Sequence, residues 1–230
     1  MSDEESRRQM SKEFLLAEFA MLQARLSDFE SLKASRVNFL LIIVAAVVAT
    51  VPAIADRLQP YFAEAALAVG AILLLLGITT LFRAVEYSIS AAVVMRRAGR
   101  IRRWFVEQDR SIAPYLAFPP SDDQPAILLK TQSLGWRGGE GVLLIVNGLA
   151  AAAIGASAAF LVCSRLLSVQ LDALVYVLVS GAGFAAAWFA QIGWLQRRLR
   201  RAEQREGRAI HARLTPETRA LYSGEELSDT

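Results

Sequence analysis

The chain has one histidine and one cysteine in 230 residues. Acid–base, nucleophilic and metal-assisted catalysis need titratable groups that converge on one point. No HExxH, CxxC, GxSxG or GxxxxGK[ST] pattern occurs. "RGGEG" at 137–141 is glycine-rich, but it has no P-loop lysine and no preceding strand, so it reads as a loop. The sequence therefore points away from an enzyme and nominates no catalytic residue, no cofactor or cofactor-binding residue, and no metal ligand. His211 stands alone in the C-terminal tail. Cys163 can form no intrachain disulfide and reads as a small buried hydrophobe.

Charge is scarce as well, but only locally. The Lys, Arg, Asp and Glu residues avoid four windows: 19 residues between Arg36 and Asp56, 18 between Glu64 and Arg83, 24 between Glu140 and Arg165, and 24 between Asp172 and Arg197. A hydrocarbon core takes about 20 mainly apolar residues per helix. Four such windows predict an all-α integral membrane protein with four transmembrane helices. The first window, "VNFLLIIVAAVVATVPAIA", does not read as a signal peptide, because 36 residues with seven acids precede it. Pro52 is tolerable near the end of a span.

Twenty-three of the 25 basic residues lie in three segments: six in 1–36, nine in 83–140 and eight in 195–230. The two short turns hold one Arg each. By the positive-inside bias this predicts both termini and the central loop in the cytoplasm, N-in and C-in. Basic residues beside membrane ends favour lipid contact over nucleic acid, and no nucleic-acid partner is expected. The organisation expected is a cytoplasmic amphipathic helix (1–36), a first transmembrane hairpin (37–82), and a cytoplasmic helical extension and loop (83–140). A second hairpin (141–194) and an Arg-rich helix and tail (195–230) complete it.

In the N-terminal arm, Leu15, Phe19, Leu22, Leu26 and Phe29 recur at helical spacing as one apolar stripe. It must bury against another cytoplasmic helix, a neighbouring subunit or the lipid interface. The slightly acidic balance of the arm favours protein over lipid. No Gly or Pro interrupts 1–51, so the arm is expected to run into the first span. The second span is expected to continue as one long helix to about Gln108, followed by a loop with one short helix. Tyr61, Tyr176, Trp136 and Trp194 fall near span ends as interface anchors. Gly148, Ala152, Gly155 and Ala159, with Gly181, Gly183, Ala185 and Ala187, predict close packing of spans three and four.

The spans carry no ionisable residue, which argues against a pump or proton antiporter. Each has an amide or hydroxyl in its inner third: Asn38, Thr79 with Thr80, Asn147 and Gln191. These are candidates either for interhelical hydrogen bonds or for a hydrated vestibule leading to an apolar constriction. The arginines allow two readings as well. Arg96, Arg100 and Arg103 share one helical face, and Arg197, Arg201, Arg205 and Arg208 share another. They are either topogenic charge on solvated helices or contacts for anionic lipid and other anions.

"EFLLAEFAMLQARLSDFESLKASRVNFLLIIV" resembles the opening of many uncharacterised bacterial membrane proteins. "GRIRRWFVEQDRSIAPYLAFPPSDDQP" resembles the segment after their second span. The helix, two-span, long-helix layout of residues 10–110 is similar to the small membrane effectors of antiphage systems, the SLATT and Pycsar types. That resemblance implies a protein that oligomerises and permeabilises the inner membrane, and it carries no functional residue across. The sequence-based expectation is a homo-oligomeric channel or pore. The alternative is a non-conducting membrane scaffold or accessory subunit that recruits a cytoplasmic partner through its helical extensions. A facilitator for a small uncharged solute is a third possibility.

Overall fold

A computed structural model describes residues 3–123, 139–168 and 172–208, and among them every regular element is helical. Helix α1 runs unbroken over Asp3–Leu58, 56 residues against the about 20 that cross a hydrocarbon core. The expected continuity of arm and first span is therefore found. Helix α2 spans Phe62–Gln108, ending where the sequence predicted. After it comes one short 3-10 helix, Arg110–Tyr115. Helix α3 covers Gly139–Leu161 and ends in a π-helical turn, Val162–Leu166, that carries half-buried Cys163. Helix α4 covers Ala173–Gly207. All four are long and apolar enough to cross a membrane. Trp136, His211 and the rest of the tail lie outside the described residues.

The chain divides into two compact units. The first gathers residues from Met1–Ser31, Tyr87–Leu128 and Leu199–Thr230. Its core is Leu22 of α1 with Val94, Ala98 and Ile101 of α2, flanked by half-buried Leu15, Phe19, Leu26, Phe29 and Phe105. The arm's apolar stripe thus packs against the extension of α2, with Leu22 buried and the other four residues half-buried. Phe29 stacks on Tyr87 with ring centroids 6.2 Å apart. Arg102 lies between the rings of Phe19 and Phe118, at 5.3 and 5.1 Å, which ties the segment after α2 to the arm. Burial of its guanidinium lowers the Arg102 pKa, because the charged form loses hydration. Gly99 of α2 meets the backbone of the same segment: a Cβ there would lie 1.9 Å from the Ser121 carbonyl oxygen. Only glycine admits so close an approach.

The second unit comprises Leu32–Glu86 and Leu129–Arg198, and all four uncharged windows fall within it. Its buried residues include Leu40, Leu81, Val85, Leu143 and Leu144. Ion pairs close both ends. At one end Lys33 of α1 lies 2.5 Å from Glu140, which is 1% exposed in the first turn of α3, where the helix dipole favours a carboxylate. Glu86 of α2 meets Arg198 of α4 at the same 2.5 Å. At the other end Arg165 pairs with Glu64 at 2.9 Å. The small residues expected between spans three and four are partly there. A Cβ on Gly148 would come 2.6 Å from the Phe184 ring, and one on Gly183 3.0 Å from the Ala151 carbonyl. Gly181 faces away, with nothing within 4 Å of its Cβ position.

Candidate functional site

The five polar residues singled out within the uncharged windows do not behave alike. Asn38 is exposed on α1. Thr79 and Thr80 turn their hydroxyls back onto their own helix: Thr79 donates to the carbonyls of Leu75 and Leu76, and Thr80 to that of Leu76 at 2.7 Å. That is the usual way a helical hydroxyl is satisfied without a partner helix. Only Asn147 and Gln191 meet. Asn147 Nδ2 donates to Gln191 Oε1 at 2.7 Å, and Gln191 Nε2 donates to the Ala187 carbonyl of its own helix at 3.0 Å. Asn147 is 0% exposed.

The second half of the Asn147 amide defines the arrangement. Its Oδ1 is buried and accepts no hydrogen bond. It points at α2, where a Cβ on Gly77 would lie 1.7 Å away. The missing side chain of Gly77 is what lets the amide oxygen come so close to the backbone of α2. Gly77, Asn147 and Gln191 therefore join α2, α3 and α4 at one level. Gly77 was not singled out from the sequence. The signal for it was a lone glycine in the run "AILLLLGITTLF", at a place where a helix former would cost less.

The two arginine groups divide in the same way. Arg96, 4% exposed, offers its Nη2 to both carboxylate oxygens of Glu203 at 2.8 and 3.0 Å. Arg100 lies 3.5 Å from Asp122, itself 3% exposed, and Arg103 bonds Glu107 one turn on at 2.6 Å. Each arginine of the α2 face thus has a carboxylate within the chain. On α4 the side chains of Arg197, Arg201, Arg205 and Arg208 are exposed.

One sizeable apolar groove lies between α1, α2 and α3, of about 520 Å³, walled by residues such as Val47, Val51, Phe62, Val69 and Leu149. Its one polar wall residue, Thr50, bonds the Ala46 carbonyl of its own helix. The groove therefore offers shape without hydrogen-bonding chemistry. No cluster of three His, Cys, Asp or Glu able to hold a metal occurs among the described residues. The chain matches no family model, no curated protein and no solved structure, so its activity has to be inferred from the side chains themselves.

Proposed function

We propose that the protein is a non-conducting membrane scaffold: four spans, N-in and C-in at a bacterial inner membrane, holding a water-side helical unit that recruits a soluble partner. The observation that carries this reading is the state of Asn147. Its amide is fully buried, bonded to Gln191 and seated on Gly77. A vestibule-lining amide would keep a face toward water, whereas this one closes a helix–helix contact. The positive-inside count of 23 of 25 basic residues supports the orientation.

A second reading has its own support. None of the most apolar stretch of α4 is buried within the protomer. A homo-oligomer packed through α4 would cover it, and a channel around the resulting axis fits the resemblance to antiphage membrane effectors. Two measurements on one preparation separate these readings. Reconstituted in liposomes, the scaffold passes no ions. An Asn147→Cys variant in a Cys163→Ala background stays unreactive to a water-soluble thiol reagent, because reaction requires a hydrated thiolate. Ion flux from the wild type together with rapid labelling of the introduced thiol would establish the pore and remove the scaffold.

A further inference from the structure

Helices α2 and α4 leave their uncharged windows side by side. The rings of Phe82 and Trp194 meet edge to face with centroids 4.3 Å apart. One turn further on, Glu86 and Arg198 form their ion pair. Both contacts link residue n of α2 to residue n+112 of α4, so over this turn the two helices run the same way and in register. Arg83 lies between these two rungs on α2, and Arg197 lies between them on α4. Each is the first charged residue after its window.

The helical rotation fixes where they point. At 3.6 residues per turn, Arg83 lies roughly 80° to one side of the direction in which Phe82 and Glu86 face α4. Arg197 lies roughly 80° to the other side of the direction in which Trp194 and Arg198 face α2. For two parallel helices facing each other, those opposite rotations bring both side chains to the same edge of the pair. Both arginines are exposed, and neither has a carboxylate partner among the described residues. Glu86, the acid between them, is engaged by Arg198.

We infer that Arg83 and Arg197 clamp the phosphate of an anionic phospholipid at the rim of the α2–α4 pair. A guanidinium presents two parallel N–H donors that match two phosphate oxygens, which suits two arginines to one phosphodiester. The charges complement each other: two cations without an acid face a headgroup carrying one or two negative charges. The level fits a lipid rather than a free anion. The pair follows directly on two uncharged windows, beside an indole ring of the kind that settles at headgroup depth, so acyl chains bound there run along apolar helix surface. The Arg96, Arg100 and Arg103 face is excluded from this role by its own carboxylates. The inference rests on the four spans crossing a bilayer and is the same for a scaffold or a pore.

The test is native mass spectrometry of the purified full chain in detergent with phosphatidylglycerol or phosphatidylcholine added. The wild type should retain phosphatidylglycerol with an affinity about 30-fold above phosphatidylcholine, the contribution expected of two arginines near a surface. An Arg83→Gln/Arg197→Gln variant should lose that preference. A control with the same loss of charge, Arg201→Gln/Arg205→Gln, should keep it. An Arg83→Lys/Arg197→Lys variant keeps the charge and the fold and should fall between, because ammonium groups cannot chelate the phosphate. An unchanged preference in the Gln pair overturns the clamp. An equal loss in the control also overturns it, since diffuse charge would then suffice. Displacement of the lipid by millimolar inorganic phosphate would show a free-anion site and overturn the lipid assignment.

Discussion

Asn147 on α3 and Gly77 on α2 occupy each other's space: the amide oxygen of one stands where the other would carry a methyl group. Such a fit makes their substitutions interdependent. Gly77→Ala forces the amide away and should cost about 1–3 kcal/mol, the usual range for overpacking a closed site. Asn147→Ala removes the obstacle together with the bond to Gln191, a bond worth about 0.6–2 kcal/mol between membrane helices. In the double variant the alanine at 77 should become nearly neutral, giving a coupling energy of at least about 1 kcal/mol. Reversible unfolding in mixed micelles measures all four corners of the cycle. Additive effects would show that the close approach carries no energy.

Neighbouring residues of the arm should respond very differently. Leu22 is 2% exposed in the core of the first unit, while Met21 beside it is 41% exposed. Leu22→Ala should cost about 2–5 kcal/mol, the range for truncating a buried leucine. Met21→Ala should change stability by less than about 0.5 kcal/mol, as surface substitutions do. Thermal melting followed by circular dichroism separates the two. Equal effects would mean that a further chain covers Met21.

The contrast also shows what the sequence made legible. The 4-3-4-3 spacing of Leu15, Phe19, Leu22, Leu26 and Phe29 identified the face that packs, because contact on a helix repeats with the helical turn. It could not say which surface received the stripe, since Val94, Ala98 and Ile101 lie at least 65 residues away and read equally well as lipid-facing or solvated. Span number was equally plain, being a matter of length and missing charge. Pairing between helices was not. Nothing in the composition links Glu203 to Arg96 or Asn147 to Gln191, and only assembled helices bring them together. These polar residues looked alike in sequence, yet Thr79 and Thr80 satisfy themselves locally, Asn38 stays exposed, and only the amides of Asn147 and Gln191 meet across helices.

Arg96 donates through Nη2 alone to both carboxylate oxygens of half-buried Glu203, so removing the arginine should leave that carboxylate with an uncompensated charge. Arg96→Ala should destabilise the protein by about 3–5 kcal/mol. Replacing both by methionine restores apolar volume without a charge and should recover most of that loss. Chemical denaturation of the three proteins tests it. A double variant no more stable than Arg96→Ala would show that the pair supplies more than charge balance.

Asp109 supplies a pH dependence. Its carboxylate accepts hydrogen bonds from Ser111, including one from the backbone N–H at 2.9 Å, and these bonds hold its pKa below the ordinary aspartate value. A carboxyl group whose folded pKa is depressed stabilises the fold fully above its unfolded pKa of about 3.9, and loses that contribution as the pH falls through the folded value. Amide exchange at Ser111 should therefore accelerate below about pH 4, beyond the intrinsic trend. Asp109→Asn keeps an acceptor oxygen but cannot titrate, and should abolish the acceleration. The same acceleration in that variant would place the titration elsewhere.

Membrane orientation can be read from the turn between α3 and α4. Leu167 is 61% exposed just beyond the π-helical turn, close to the Arg165–Glu64 pair at the end of the spans opposite Lys33 and Glu140. With 23 basic residues in the termini and central loop, that end should face away from the cytoplasm. Leu167→Cys in a Cys163→Ala background places a single thiol there, with no other cysteine in the chain to confuse the signal. A membrane-impermeant maleimide applied to intact bacterial cells, with the outer membrane permeabilised, should label it within minutes. A Ser111→Cys variant in the same background, placed in the 3-10 helix after α2, should label only once the cells are lysed. The reverse pattern would put both termini outside, and the positive-inside count would then not govern this chain. Labelling of both thiols in intact cells would mean that α3, the one long helix between these positions among the described residues, does not cross the bilayer, which removes the four-span topology.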